Sequence, residues 1–267
     1  MMKKLLLLVC LVSFLPQLSQ ALGVPTQTDK NSYYSDAFYQ AIQSGIVNDD
    51  LRRVINNEMR NHLNVGYDRA RVFLLGQFYL VNRGKGYAVK DVYCDREVGA
   101  EEFPSKGRPG PNVIPDNTVV NTEHTWPQSR FNPRVPKDLQ KADLHHLFPT
   151  DTQVNALRGN KKFGIVNQET QQIKCAGPRY GQGQGQRDDI FEPPQDHKGN
   201  VARALFYFSV KYGLRIDPIE EATLRKWAQE DPVDDEEMRR NNEIQKVQVS
   251  RNPFIDYPDL ADRIQDF

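Results

Sequence analysis

The sequence has little of several features that would assign its class at once. Its 267 residues include three cysteines, five histidines and two tryptophans, and the formal net charge is zero. A neutral balance argues against a histone-like coat of positive charge. No cysteine stands in a C-x-x-C pair, which argues against a structural zinc site, and no internal repeat is visible. With 38% hydrophobic and 26% charged residues, the composition fits one large folded domain or at most two.

The longest apolar run lies in "MMKKLLLLVCLVSFLPQLSQALG", at the N-terminus. Two lysines precede about 11 apolar residues, and the small residues Ser19 and Ala21 follow; such a run is too short for a membrane span, which needs roughly 20. The pattern predicts a secretory signal peptide over residues 1–21. We therefore expect an exported protein, periplasmic or secreted and without stable membrane association, with one domain over residues 22–267.

Export would leave two cysteines, Cys94 and Cys175, in an oxidising compartment. One disulfide between them is the simplest account. Two unpaired buried thiols are the alternative, because spacing along the chain does not establish geometry.

Charge is distributed unevenly along the chain. Residues 123–165 contain seven Lys or Arg against four Asp or Glu, whereas residues 216–267 contain fourteen acids against seven bases. A polyanion would therefore have one preferred face, although asymmetry of this size is also common on ordinary surfaces. The acidic run Asp234–Glu237 predicts a solvated helix start.

Local patterns predict a mixture of helices and strands. Residues 35–63 have the apolar spacing of two short helices, and "GNVARALFYFSVKYG" predicts a buried helix bounded by glycines. Asp217-Pro218 and Asp231-Pro232 each predict a helix start, since an acidic cap is followed by proline. "NTVVNTEHTW" predicts a strand. Residues 97–117 and "GPRYGQGQGQRDD" predict loops.

An acid and a histidine, Glu123 and His124, end the predicted strand. Adjacent side chains at a strand end can flank a third object; a carboxylate suits a hard cation, and a neutral imidazole can take a proton from water. Asn155 follows on a predicted helical turn capped by Thr150 or Asp151, and its amide oxygen could complete a Mg²⁺ site. A nearby arginine such as Arg158 could hold a phosphate.

Several motifs in order carry a family resemblance. "EHTWPQSRF" followed by "ADLHHLFPTDTQVNALRGNKKFG" resembles the endonuclease I family of secreted and periplasmic nucleases, whose motifs run Glu-His-x-x-Pro, Asp-x-His-Asn-Leu-x-Pro, Val-Asn and Arg-Gly-Asn. The similarity extends to "FEPPQDHKGNVARALFYFSVKY" and "RNPFIDYPDL", so it covers most of residues 70–260.

The resemblance implies an α+β fold, with mixed helices and a small sheet around a ββα-metal (His-Me finger) motif. His124 would be the general base, Glu123 and Asn155 the ligands of Mg²⁺, with Mn²⁺ or Ca²⁺ as alternatives, and Asp143 and His145 supporting residues. The implied activity is hydrolysis of DNA, and of RNA as well, through backbone phosphates, without sequence specificity and leaving 5'-phosphates. We expect a monomer.

The sequence departs from the better-known members of the family. Their cysteine- and arginine-rich insertion, which supplies an arginine to the leaving phosphate, is absent, so Arg130, Arg158 and Arg179 are the candidates, with Arg158 first. His146 replaces an asparagine, which would alter the hydrogen bonds around the site. The several disulfides of those members are reduced to the one between Cys94 and Cys175.

Simpler interpretations stand beside these. A zinc pair at His145 and His146 is disfavoured because adjacent residues rarely share a face. Trp126 is expected to pack rather than stack on a base, and His62 and His197 are expected at the surface. The alternative function is a non-catalytic exported protein that binds nucleic acid or a wall polymer on the same scaffold.

Overall fold

Nine α-helices and eight β-strands are present in the residues that the structure, a computed structural model, describes: 33–185 and 187–267. The predicted signal peptide, residues 1–21, lies outside the described residues. The helices are α1 (Asp36–Gln43), α2 (Asn48–Met59), α3 (Tyr67–Phe73), α4 (Lys137–Lys141), α5 (Thr152–Arg158), α6 (Lys198–Tyr212), α7 (Pro218–Glu230), α8 (Asp235–Gln248) and α9 (Pro253–Asp256). The strands are β1 (Leu80–Asn82), β2 (Tyr87–Asp91), β3 (Arg96–Gly99), β4 (Val120–His124), β5 (Leu147–Asp151), β6 (Val166–Gln171), β7 (Arg179–Gly183) and β8 (Ile190–Glu192).

The strands form three small antiparallel sheets, in the orders β1-β2-β3, β4-β5 and β6-β7-β8. Helices precede, separate and follow the strands along the described chain. The fold is therefore mixed α+β, as predicted.

Helix α6 is the centre of the core. Twelve of its fifteen residues are buried, and α2, α7 and α9 pack against it. A helix that is mostly apolar on all sides is expected where neighbours cover it. The helix ends at Gly213, whose φ of 63° is the left-handed conformation that glycine adopts without penalty.

Helix α8 begins later than the sequence predicted. Asp234, not Asp231, caps it by accepting the backbone N–H of Glu237 at 2.7 Å. Asp231 instead accepts the N–H of Gly199 at 2.7 Å and so holds the start of α6. The prediction of a solvated helix start is wrong for Glu237, which is buried and pairs with Arg203 at 2.6 Å.

Both predicted loops contain regular structure. The first residues of the 97–117 segment belong to β3 and a 3-10 turn, and a later part packs on a π-helical turn, Leu74–Phe78, where Asn112 N donates to Gly76 O at 2.9 Å. "GPRYGQGQGQRDD" contains β7, so the prediction of an exposed loop is wrong there. Its partner β6 is polar and mostly exposed, so the apolar alternation that signals a strand is missing.

The disulfide between Cys94 and Cys175 is confirmed, with the two Cα atoms 5.4 Å apart. It joins the turn after β2 to the segment between β6 and β7, across 81 residues of sequence. In the described part of the chain, no helix has the length and apolarity needed to cross a membrane.

The second sheet and the helix after it position the predicted site. In the β4-β5 pair, Glu123 faces Phe148 and His124 faces Leu147 across the ladder. Helix α5 follows β5 directly, because the Asp151 side chain accepts the N–H groups of Gln153 and Val154 and caps it. The strand, strand and helix thus occur in the order that the family resemblance implied.

Candidate active site

A polar pocket of about 360 Å³ lies between β4 and the end of α5. Glu123, His124 and Asn155, which the sequence predicted as metal ligands and base, all line it. The other lining residues are Tyr67, Asn121, Thr122, Pro127, Gln128, Ser129, Gly159 and Asn160. The structure therefore brings together the three residues on which the predicted chemistry depends.

Two donors, Tyr93 and Arg158, bind the carboxylate of Glu123. The Tyr93 hydroxyl donates to Oε1 at 2.9 Å, and Arg158 Nη1 lies 2.8 Å from the same oxygen. Both contacts are made by Oε1, and neither donor binds Oε2. Burial raises the pKa of Glu123, and the charge of Arg158 opposes that rise.

The imidazole of His124 is fixed through both ring nitrogens. Nε2 lies 3.2 Å from the carbonyl oxygen of Lys141, which can only accept, so Nε2 carries the proton. Nδ1 is then the basic nitrogen, and the amide nitrogen of Gln128 lies 3.4 Å from it. This tautomer leaves one lone pair as the proton acceptor.

The environment also keeps His124 neutral. Burial is the main cause that holds the pKa of His124 well below its ordinary value of 6.5, and the neighbouring His146 lowers this pKa further. The His146 ring lies 5.4 Å from the His124 ring, and the Tyr67 ring lies 5.5 Å away on the pocket. An unprotonated imidazole near pH 7 is what a general base requires.

Helix α5 presents Asn155 and Arg158 in different environments. Asn155 is half-buried, lines the pocket, and its side-chain amide makes no hydrogen bond to any residue in 33–185 or 187–267. Arg158 is fully buried: besides Glu123, its guanidinium donates to the carbonyls of His124 at 2.9 Å and Thr125 at 2.6 Å.

This placement corrects the role predicted for Arg158. A guanidinium with no exposed surface, already donating to a carboxylate and two carbonyls, does not face a substrate phosphate in this structure. Arg158 instead positions Glu123 and the end of β4. The other candidates also pair with acids: Arg130 lies 3.5 Å from Glu220, and Arg179 lies 2.8 Å from Glu169.

Asp143 and His145, predicted as supporting residues, do not line the pocket. Asp143 is fully buried and binds Lys211 at 2.9 Å and the Tyr212 hydroxyl at 2.7 Å. Burial would raise the pKa of Asp143, but Lys211 and the nearby imidazoles hold it well below its ordinary value. His145 Nε2 lies 3.1 Å from the carbonyl oxygen of Ser250. These two residues fasten the segment before β5 to α6 and to the chain after α8.

Sequence reasoning missed several residues that contact the site. Tyr93 and Tyr67 come from distant segments, and no local pattern marked them. Gln128 was within reach of a prediction, because it lies four residues after His124 in a motif already singled out. His146 was considered for its departure from the family pattern, and the structure places its ring on His124.

Trp126 and His197 are both buried, as was predicted for only the first of them. Trp126 packs, as expected: its ring stacks on Phe208 with centroids 5.5 Å apart, and its Nε1 donates to Arg130 O at 3.0 Å. The surface location predicted for His197 is wrong, since it is buried with its ring 4.7 Å from that of Phe148. His62 is half-buried.

The pocket suits a hard divalent cation. Glu123 offers a carboxylate oxygen and Asn155 an amide oxygen that nothing in the described chain engages, and both are donors that Mg²⁺ prefers. Within the described residues, no cluster of three His, Cys, Asp or Glu could hold a metal. An ion here would thus have few protein ligands, as is usual for Mg²⁺, which keeps several waters and takes substrate phosphate oxygens.

The chain is similar in sequence to several proteins of one class, the nucleases. One relative is an extracellular ribonuclease of Bacillus subtilis, 39% identical over 162 residues, which are 54% of this chain and 53% of that protein. Another is an extracellular deoxyribonuclease of Aeromonas hydrophila, 33% identical over 120 residues, 43% of this chain and 49% of that protein. A periplasmic deoxyribonuclease of the same organism is 32% identical over 120 residues, 43% of this chain and 48% of that protein.

The particular family follows from a longer match. Residues 48–259 match the family described as Endonuclease I, and the chain belongs to that family. The chain spans about half the length of the curated relatives it matches.

Proposed function

We propose that this protein is an exported, metal-dependent endonuclease that hydrolyses phosphodiester bonds of DNA and RNA without sequence specificity. One observation carries the proposal: Glu123, Asn155 and a neutral His124 line a single polar pocket. Membership of the Endonuclease I family supports the reaction class, and relatives named as ribonuclease and deoxyribonuclease support both substrates.

In this proposal, His124 Nδ1 removes a proton from a water molecule while Nε2–H stays bonded to the Lys141 carbonyl. The water oxygen forms a bond to phosphorus, and the bond between phosphorus and the 3'-oxygen breaks. The departing 3'-oxygen takes a proton from solvent, so the products are a 5'-phosphate and a 3'-hydroxyl. The bond of Nε2–H to the Lys141 carbonyl can persist during proton transfer, whereas the Gln128 amide must move away from Nδ1 to admit the water.

Glu123 and Asn155 would hold Mg²⁺, with Mn²⁺ or Ca²⁺ as alternatives. A bound divalent ion stabilises the negative charge that develops on the phosphoryl group. Tyr93 and Arg158 orient the carboxylate for this role, and they oppose protonation of a buried acid. Binding through phosphates and sugars carries no sequence information directly, so non-specific cleavage is expected.

Export is the location we propose, either to a periplasm or to the medium. The names of the relatives include both locations, and a disulfide between Cys94 and Cys175 is typical of an oxidising compartment.

The proposal is tested with purified protein, supercoiled plasmid and single-stranded RNA, each incubated with Mg²⁺ and with EDTA. We expect nicked and then linear plasmid, and shortened RNA, with Mg²⁺ alone. His124→Ala should lose cleavage while still binding DNA, whereas Lys246→Gln, which changes an exposed side chain on α8, should cleave as wild type does. Intact plasmid and RNA under every condition, with DNA binding retained, would favour a non-catalytic binding protein.

A further inference from the structure

The pocket has a polar lining but no cationic side chain among the described residues that form it. A substrate phosphate beside Glu123 would add negative charge to a site that already has a carboxylate. The arginines predicted for the phosphate, Arg130, Arg158 and Arg179, are each paired with an acid. A side-chain cation that assists the proposed metal ion at the phosphate would therefore come from the edge of the pocket.

Lys141, the last residue of α4, lies at that edge. Its carbonyl oxygen is the one that fixes the tautomer of His124, so its backbone adjoins the base. Its Nζ lies 4.2 Å from the centroid of the Tyr67 ring, and that ring lines the pocket 5.5 Å from the His124 ring. Lys141, Tyr67 and His124 thus form a continuous series of contacts.

The Lys141 ammonium group is also available to an anion. It pairs with no carboxylate in the part of the chain that the structure describes. A second cation, Arg71, has its guanidinium 5.6 Å from the same Tyr67 ring, with Asp68 3.9 Å away and 88% exposed. Two positive groups therefore contact the Tyr67 ring, and only one exposed carboxylate lies near them. This leaves an excess of positive charge beside the pocket.

We propose that Lys141, held against the ring of Tyr67, supplies the cation that binds the substrate phosphate next to His124. The inference rests on the proposed nuclease function and assigns the role that was predicted for an arginine. Tyr67 acts as a positioning residue: the face of its ring attracts the ammonium group and keeps the long side chain at the pocket rather than in solvent. Because the lysine adjoins the base through its own backbone, phosphate and attacking water would be bound side by side.

Kinetics with matched variants test the charge. Lys141→Gln removes the charge and keeps the backbone carbonyl on His124, and we expect kcat/KM to fall by about 10- to 100-fold, as for loss of a hydrogen bond to a charged group. Lys141→Arg should recover most of the activity. Lys246→Gln, whose side chain pairs with Glu243 on α8, should match wild type.

Salt dependence of binding separates a phosphate contact from a structural role. In the inactive His124→Ala background, affinity for a short labelled DNA duplex is measured by fluorescence anisotropy over a range of salt concentrations. Loss of one phosphate contact should reduce the slope of log K against log[salt] by about 0.9. We expect that reduction for Lys141→Gln and no change for Lys246→Gln.

Tyr67 is tested in the same two assays. Tyr67→Leu removes the ring that holds the ammonium group, so it should lower kcat/KM and reduce the salt slope as Lys141→Gln does. Tyr67→Phe keeps the ring, so its decrease in both assays should be smaller than that of Tyr67→Leu. Circular dichroism confirms that each variant is folded.

The outcomes distinguish this inference from the proposed function. If wild-type protein cleaves DNA but Lys141→Gln matches it in both kcat/KM and salt slope, the inference is wrong and the nuclease proposal stands. If wild-type protein does not cleave DNA or RNA, the nuclease proposal fails first.

Discussion

Arg158 Nη1 lies 2.8 Å from Glu123 Oε1 in the interior, where the two side chains are 0% and 2% exposed. The arginine that the sequence suggested for the substrate phosphate is thus bound to the acid suggested for the metal. A buried ion pair of this kind fixes geometry: the carboxylate is held by a charge that has no route to the substrate. The two residues therefore belong to one structural unit at the end of β4.

Arg158→Ala should destabilise the protein by about 3–5 kcal/mol, because it leaves the buried Glu123 carboxylate without its partner. Chemical denaturation measures the free energy of unfolding. Arg53→Ala is the control: its side chain is 75% exposed and pairs with the exposed Asp50 on α2, so a loss of about 1 kcal/mol or less is expected. An Arg158→Ala protein with wild-type stability but no activity would show instead that the arginine acts on substrate.

Tyr93→Phe should weaken the response to Mg²⁺. Its hydroxyl donates to Glu123 Oε1, and a hydrogen bond contributes about 0.5–1.5 kcal/mol, so the Mg²⁺ concentration for half-maximal cleavage should rise by about 2- to 10-fold. Tyr212→Phe removes a similar bond to Asp143, away from the pocket, and should lower stability with no change in Mg²⁺ response. Equal Mg²⁺ responses in Tyr93→Phe and wild type would contradict the positioning role.

The disulfide should affect both stability and the site. Reduction of Cys94–Cys175, or a Cys94→Ser/Cys175→Ser double variant, should cost about 2–5 kcal/mol, because the bond closes a long loop. Cys94 directly follows Tyr93, so the same change should raise the Mg²⁺ requirement in the direction predicted for Tyr93→Phe. A reduced protein with oxidised-like stability would show that packing alone holds this turn.

Buried histidines make the protein sensitive to acid. Burial lowers the pKa of His145 to about 3, of His146 to about 4 and of His197 to about 3, from an ordinary value of 6.5. Between these values and 6.5 the unfolded chain binds more protons than the folded one. The contribution of each histidine to the free energy of unfolding is therefore complete above pH 6.5. It decreases as pH falls toward 4, by up to about 1.4 kcal/mol per pH unit for each histidine.

His197→Leu isolates one of these contributions. Between pH 4.5 and 6, the slope of unfolding free energy against pH should decrease by the amount that corresponds to about one bound proton, whatever the effect of the substitution at pH 7. Denaturant titrations at several pH values measure the slope. An unchanged slope would mean that His197 is protonated in the folded state.

The sequence predicted much of the helical fold because the helix signals are local. Helix α6 is mostly apolar and ends before a glycine, α7 begins with Asp217 and Pro218, and Asp151, one of the two expected caps, caps α5. Strand β7 was missed because its glycine- and glutamine-rich sequence has no apolar alternation, and its pairing with β6 is a tertiary contact. The start of α8 was misplaced because Asp231 and Asp234 are equally good caps locally.

The site was predicted in part for a similar reason. Glu123, His124 and Asn155 stand in recognisable motifs, and the structure brings them to one pocket. The burial of Arg158 could not be predicted from the sequence. Asn155 and Arg158 are three residues apart and so lie close together on the helix surface, but their spacing does not show which of them faces the core. Tyr93 and Tyr67 reach the site only through packing of distant segments.

The most direct test of the account is an anomalous difference map from a crystal soaked in Mn²⁺. We predict one strong peak within coordination distance of a Glu123 carboxylate oxygen and the Asn155 amide oxygen, in the pocket that His124 lines. No peak at that position, or a peak bound by other residues while the pocket remains open, would contradict the proposed metal site and the reaction built on it.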